Sequence, residues 1–299
     1  MTHTYSDAAL ALEPEAFRRC YDREPLGFTH RLHELDLFQP DALAALAAAF
    51  AGHRDDYFVA QSAPSPDTAF YQVPHGGFAP HEALEHLDKG AWRILLKRPE
   101  RHHPGFRALL DALFAQVTAL RGGLGGERVV RLESAVFISS ASSTTPFHFD
   151  PEVNFFSQIV GEKTYHVYSP SVISEAELEA FYRRGEVDIA QVALAGRDAG
   201  REHVFQLRPG LGFHQPQNAP HWVVTGPARS VSYSFVFETD ASRARGAARG
   251  ANHYLRRLGL TPTLPGVRPA LDARKAGTMR MVGPVHRGVR RVLRKTLGR

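Results

Sequence analysis

Cysteine is almost absent from this 299-residue chain. Cys20 is the only one, so an intrachain disulfide and a thiolate metal cluster are both excluded. That scarcity fits a reducing, cytoplasmic setting. No apolar run approaches the roughly 20 residues that a membrane-spanning helix needs, so no membrane role is expected. A basic stretch followed by an apolar one is missing from the N-terminus, and no signal peptide is expected there. There is no internal repeat of fixed period, which sets repeat architectures aside. Acidic residues are scarce at one end only. From Ala241 to Arg299 a single acid, Asp272, stands against fifteen Lys and Arg, a local charge of +14. The whole chain carries +5, so residues 1–240 carry −9. The basic character belongs to the tail, and the overall charge is no argument for nucleic-acid binding.

What the chain does contain is apolar material for a sizeable core, at 43% hydrophobic residues. The expectation is one large domain with appendages, divided at residues 1–125, 126–240 and 241–299. The first part reads as mixed and mainly helical, packing on a barrel. Within it, Asp41 is placed to cap the Ala-rich helix ALAALAAAF that follows Pro40. QSAPSPDTAF and VPHGGFAP read as loops. Phe106, Leu109, Leu110, Leu113, Phe114, Val117 and Leu120 recur at three- and four-residue steps, predicting a helix over 104–120 that Gly122 and Gly123 end.

From residue 128 the apolar period changes to two. RVVRLESAVFISS, TPFHFD, VNFFSQIV and KTYHVYS read as strands. A helix, SEAELEAFYRR, follows with Ser174 and Glu177 as its capping box. ALAGRDAGRE is a polar loop, and strands resume at HVFQL, LGFHQP, HWVVTG and SVSYSFVFET. The prediction is a mainly β fold with helical additions. Its centre would be a closed antiparallel sheet, a jelly roll or double-stranded β-helix of the cupin type. After Asp240, Arg, Ala and Gly dominate. NHYLRRLGL reads as a short helix and HRGVRRVLRKTLGR as a basic end. In order of preference, the tail is a solvated end, a homodimer arm or a phosphate-binding segment.

Residues 145–163, TPFHFDPEVNFFSQIVGEK, carry the chemistry. Side chains two apart on a strand share a face, so His148 and Asp150 lie side by side with Phe147 and Phe149 opposite. A His-x-Asp tripeptide alone is a weak signal, since a hydrogen-bonded structural pair uses the same residues. Position strengthens it. Pro151 follows Asp150 and Pro220 precedes His221, so Asp150 and His221 both fall at strand ends. Two histidines and one carboxylate on one face form the ligand set of non-haem Fe(II) oxygenases, and His221 is the candidate for the second histidine. A 2-oxo dicarboxylate chelating such a metal needs a cation for its far carboxylate, and Lys163, after the Gly161 turn, can supply one. An exposed turn lysine is the plainer alternative. If Asn154 points inward, so do Phe156, Gln158 and Val160, while Thr145 offers a hydroxyl near the same pocket. Ser232 or Ser234 is a further pocket candidate. His75, His102, His103, His166 and His214 read as structural or loop histidines, and Trp222 as a core residue turned away from the metal.

These residues resemble a family. TPFHFDPEVNFFSQIVGEK and RPGLGFHQPQNAPHWVVTGPARSVSYSF are similar to the two halves of the jumonji-type (JmjC, cupin-like) Fe(II)- and 2-oxoglutarate-dependent oxygenases, especially the protein-hydroxylase and bacterial cupin-like branches. The likeness spans residues 129–238. It implies that His148, Asp150 and His221 hold iron and that Thr145 and Lys163 bind the far carboxylate of 2-oxoglutarate. Asn154 would face that cosubstrate and Phe156 would wall it. Relatives add an aromatic hydroxyl from an earlier strand; here Phe137 stands where a tyrosine would be sought, and no residue takes that role. The implied activity is hydroxylation of a C–H bond in a protein, peptide or small molecule, with release of succinate and CO2. One rival is a non-catalytic, metal-binding jumonji-like protein whose basic tail docks on nucleic acid. Another is a cupin that uses the metal without 2-oxoglutarate.

Overall fold

The computed structural model describes residues 10–183 and 190–280. The basic end HRGVRRVLRKTLGR lies outside them. The described chain forms two compact units. The larger is drawn from residues up to 126, 131–172 and 191–237, and the smaller from 127–130, the segment after 173, and 238 onward.

Two sheets make the larger unit. One has seven strands in the order β1 (Leu26–Thr29), β10 (Leu211–Gln215), β6 (Val153–Val160), β12 (Ser230–Thr239), β4 (Val129–Ser139), β3 (Trp92–Lys97) and β2 (Tyr57–Gln61). The other has five, in the order β8 (Ala190–Gln191), β5 (Thr144–Phe149), β11 (His221–Thr225), β7 (Lys163–Tyr168) and β9 (Glu202–Leu207). Strand β6 lies inside the larger sheet, between β10 and β12, and is buried on both faces. Its alternation sends Phe155 to one side and Phe156 to the other. Phe155 joins Phe17, Phe106, Leu109, Leu113, Val136 and Tyr233 in a core beneath α1 (Pro14–Cys20), α2 (Pro40–Ala49) and α4 (Pro104–Arg121). Phe156 joins Phe213, Tyr165, Val167 and Val223 in a second core between the two sheets. Each such side chain contributes about 1.5–3 kcal/mol when fully buried. The second core is the floor on which the candidate site rests.

The closed sheet expected from the sequence is not what forms. The double-stranded β-helix of the jelly-roll and cupin type is replaced by a mixed α/β arrangement of two open antiparallel sheets, ending in β1 and β2 on one and β8 and β9 on the other. Alternation reports that a strand has a buried face; it carries no information on whether the last strand returns to the first. The N-terminal part, expected as mixed and mainly helical, also supplies β1, β2 and β3 to the larger sheet. Asp41 sits in the first turn of α2, and Gln39 takes the capping position without a side-chain bond. Val160, expected inward, is 39% exposed because β6 ends there.

In the smaller unit, α5 (Glu175–Tyr182) starts on the expected Ser174–Glu177 capping box. Where a short helix was expected, α6 (Asp240–Arg257) runs for 18 residues. Gly246 and Gly250 lie four apart on it, and a Cβ at either would meet Tyr182, at 2.5 Å and 2.7 Å. Two bare positions on one face thus allow α6 to approach α5 closely. Arg249 then grips Glu175 with two nitrogens at 3.0 and 2.9 Å, and Arg256 reaches the buried Glu179 at 2.8 Å. Among the described residues no helix is long and apolar enough to cross a membrane.

Candidate metal centre

Strand pairing brings the site together. His221, first residue of β11, lies opposite His148 on β5, and Asp150 follows the end of β5. The two imidazole centroids are 4.1 Å apart. Asp150 places Oδ1 3.9 Å from His148 Nε2 and Oδ2 3.7 Å from His221 Nε2. These separations are too long for hydrogen bonds, yet one donor atom from each residue falls within 4.8 Å of the others. Among the described residues no other His, Cys, Asp and Glu side chains converge in a group of three.

The imidazoles are prepared as neutral ligands. His148 Nδ1 lies 2.7 Å from the Pro146 carbonyl, which accepts its proton and leaves Nε2 with a bare lone pair. His221 Nδ1 has the same partner type in Ala219 O at 3.1 Å. Burial pushes His148 down to about 4, with the Pro146 carbonyl opposing and Arg93 assisting. Burial also pushes His221 to about 3, with repulsion from His148 next in size. Both rings are therefore uncharged at neutral pH, the form that binds a metal. Tyr165 supports His221 by stacking at 5.3 Å, and its hydroxyl donates to Gln215 Oε1 at 3.0 Å. The Gln215 carboxamide reaches His221 Nδ1 at 3.1 Å. Phe70 meets the His148 ring edge-on at 5.0 Å.

Deeper in, Lys163 is the first residue of β7 and only 5% exposed. Its amine stands over Phe156 at 5.6 Å and Phe137 at 5.9 Å. Burial first, and then Arg93, bring its pKa down to about 7. Thr145 accepts a hydrogen bond from Arg93 Nη1 at 3.0 Å. Asn154 and Phe156 are two apart on β6 and share a face; Asn154 Oδ1 is buried without a partner among the described residues. Gln158 is consumed by Ser230, Ser232 and the carbonyls of Val160 and Gly161. Ser232 is thereby spoken for, and Ser234 is buried. His214 is wholly buried and takes a bond from the Asp22 amide; His102 bonds Asp56, His103 caps α4, and His75 lies edge-on to Phe58. Trp222 points away from the metal ligands as expected, but it stacks on His166 at 3.8 Å instead of entering the core. Arg93, Tyr165 and Gln215 were missed from the sequence, since each acts through a partner on another strand.

No protein-family model and no curated protein matches the sequence. Solved structures do match. The structure of Escherichia coli ycfD aligns with a TM-score of 0.52 and 19% identity over 92% of this chain and 68% of that one. YcfD, described as a ribosomal oxygenase, also matches in its complex with cobalt and 2-oxoglutarate, with a TM-score of 0.53 and 20% identity over 92% and 67% of the two chains. The chain shares the fold of YcfD. At this identity the likeness is one of fold alone.

Proposed function

We propose that the chain is an Fe(II)- and 2-oxoglutarate-dependent oxygenase of the jumonji type that hydroxylates a side chain of a protein or peptide. The observation that carries this is the convergence of His148, Asp150 and His221 beside a buried lysine amine. The donor set fits the ion. Two neutral imidazoles with free Nε2 atoms and one carboxylate occupy one face, the arrangement non-haem Fe(II) oxygenases use. The cosubstrate fits as well, because Lys163 has no hydrogen-bond or ion-pair partner among the described residues, and an ammonium buried alone calls for an anion. When bound, iron with 2-oxoglutarate supplies the oxygen chemistry that hydroxylates a C–H bond and releases succinate and CO2.

The chain's own residues have distinct tasks in this reading. His148, Asp150 and His221 would hold the metal. The carbonyls of Pro146 and Ala219 fix the tautomers, and Tyr165 keeps the His221 ring in place. Lys163 and Thr145 orient the far end of the cosubstrate, Asn154 faces it, and Phe156 excludes water from its flank. A protein substrate is favoured because the fold's relatives are ribosomal oxygenases. The test is to incubate the protein with Fe(II), ascorbate, 2-oxoglutarate and ribosomal proteins. Succinate should form together with a gain of one oxygen on a protein fragment. Absence of succinate above the blank, with metal demonstrably bound, would overturn the reading.

A further inference from the structure

We propose that Arg93 is the second cation of a clamp with Lys163, reserved for the far carboxylate of the cosubstrate, and that this pair makes the site select a 2-oxo dicarboxylate over a 2-oxo monocarboxylate. The inference rests on the 2-oxoglutarate reading above. Arg93 sits on β3, in the other sheet from Thr145. Its Nη1 donates to Thr145 Oγ1 at 3.0 Å and its Nε to the Gln61 carbonyl at 3.3 Å. Two of the three nitrogens are thus fixed by the protein, and Nη2 is buried with no partner among the described residues. A buried guanidinium nitrogen without an acceptor is costly.

The neighbouring groups point to an anion as the missing acceptor. The Arg93 charge acts on both Lys163 and His148, lowering the pKa of each, and its Nη1 bond to Thr145 ties it to the strand that carries His148. Among the described residues no carboxylate contributes to the shifts of Arg93 or Lys163, and Glu162 is exposed. Two uncompensated buried cations repel, and they are retained at a cost unless a ligand brings negative charge. Burial lowers Arg93 only to about 10, so it stays charged at neutral pH, whereas Lys163 stands near 7. Arg93 is therefore the permanent charge. Thr145, having accepted from Arg93, keeps its own hydroxyl proton to donate. A carboxylate meeting Nη2, Nζ and that proton would satisfy all three, while a methyl group there would leave them unpaired.

The test titrates the Mn(II)-loaded full chain with 2-oxoglutarate and with 2-oxopentanoate, which has the same 2-oxo acid head and a methyl in place of the far carboxylate. Arg93→Gln should weaken 2-oxoglutarate binding about 10- to 100-fold, as loss of a charge-assisted bond does. It should leave 2-oxopentanoate within about threefold and Mn(II) affinity unchanged, and Arg93→Lys should recover part of the loss. Unchanged 2-oxoglutarate affinity in Arg93→Gln, or an equal loss for both ligands, would overturn the assignment of Arg93 while leaving the oxygenase reading intact. A wild-type chain that binds Mn(II) but neither ligand would overturn both.

Discussion

At the scale of single residues, the account turns on nitrogen atoms whose protonation is set by their neighbours. His148 and His221 present Nε2 because a carbonyl holds each Nδ1–H. Lys163 differs, because its state in the free protein is divided near neutrality. A dianionic ligand placed beside the amine favours its charged form and raises its pKa. Binding above pH 7 must then take up a proton, and affinity should fall about tenfold per pH unit until the pKa of the bound state is reached. Calorimetry of the Mn(II) protein with 2-oxoglutarate, in buffers of different ionisation enthalpy, should show no uptake at pH 6 and nearly one proton per ligand at pH 8.5. A pH-independent affinity across that range would place the amine outside the ligand site. The grouping of His148, Asp150 and His221 was legible because residue type, order and strand alternation pointed one way. Arg93, Tyr165 and Gln215 were not. Their roles exist only once β3, β7 and β10 lie near β5 and β11, and nothing local in WRILLK or LGFHQ marks it.

At the scale of elements, the β6–β7 turn decides where Lys163 is aimed. Gly161 adopts a φ of +69°, and a Cβ there would run into the Arg229 carbonyl oxygen. Gly161→Ala should destabilise the protein by about 1–3 kcal/mol. Gly161→Asn should fail equally, although asparagine tolerates the left-handed region, because the obstacle is the backbone of the neighbouring strand. Thermal unfolding checks the first effect, and 2-oxoglutarate affinity checks the displacement of Lys163. If Asn restores wild-type stability, the constraint is conformational and not steric. Strands from residue 129 onward could be read because each alternates cleanly over several residues. Strands β1, β2 and β3 were hidden by shortness and by flanking loops. Helix α6 was hidden by its glycines, which argue against a helix locally but permit close contact with Tyr182.

At the scale of the whole molecule, buried neutral histidines tie stability to pH. His30 Nδ1 accepts from the Leu32 amide while Nε2 donates to the Leu211 carbonyl, and burial holds its pKa near 4. His214 Nε2 accepts from the Asp22 amide, and burial holds its pKa near 3. Unfolded histidine titrates near 6.5. Between those values the unfolded chain binds more protons than the folded one, so stability rises with pH. It is fully present above about 6.5 and is lost as pH falls toward 4 and then 3. The thermal midpoint should drop by several degrees from pH 7 to pH 5, and a flat profile would mean these rings are not buried neutral. The two-sheet layout also separates what composition could state from what it could not. A core of this size and an antiparallel class were legible, but closure was not, since both sheets end in open edges.

The most direct measurement is anomalous scattering from a crystal of the full chain soaked with Mn(II) and 2-oxoglutarate. The account predicts one strong manganese peak bonded to His148 Nε2, His221 Nε2 and the Asp150 carboxylate, with the far carboxylate of the ligand between Lys163 and Arg93. A peak remote from these three residues, or none at saturating Mn(II), would contradict it.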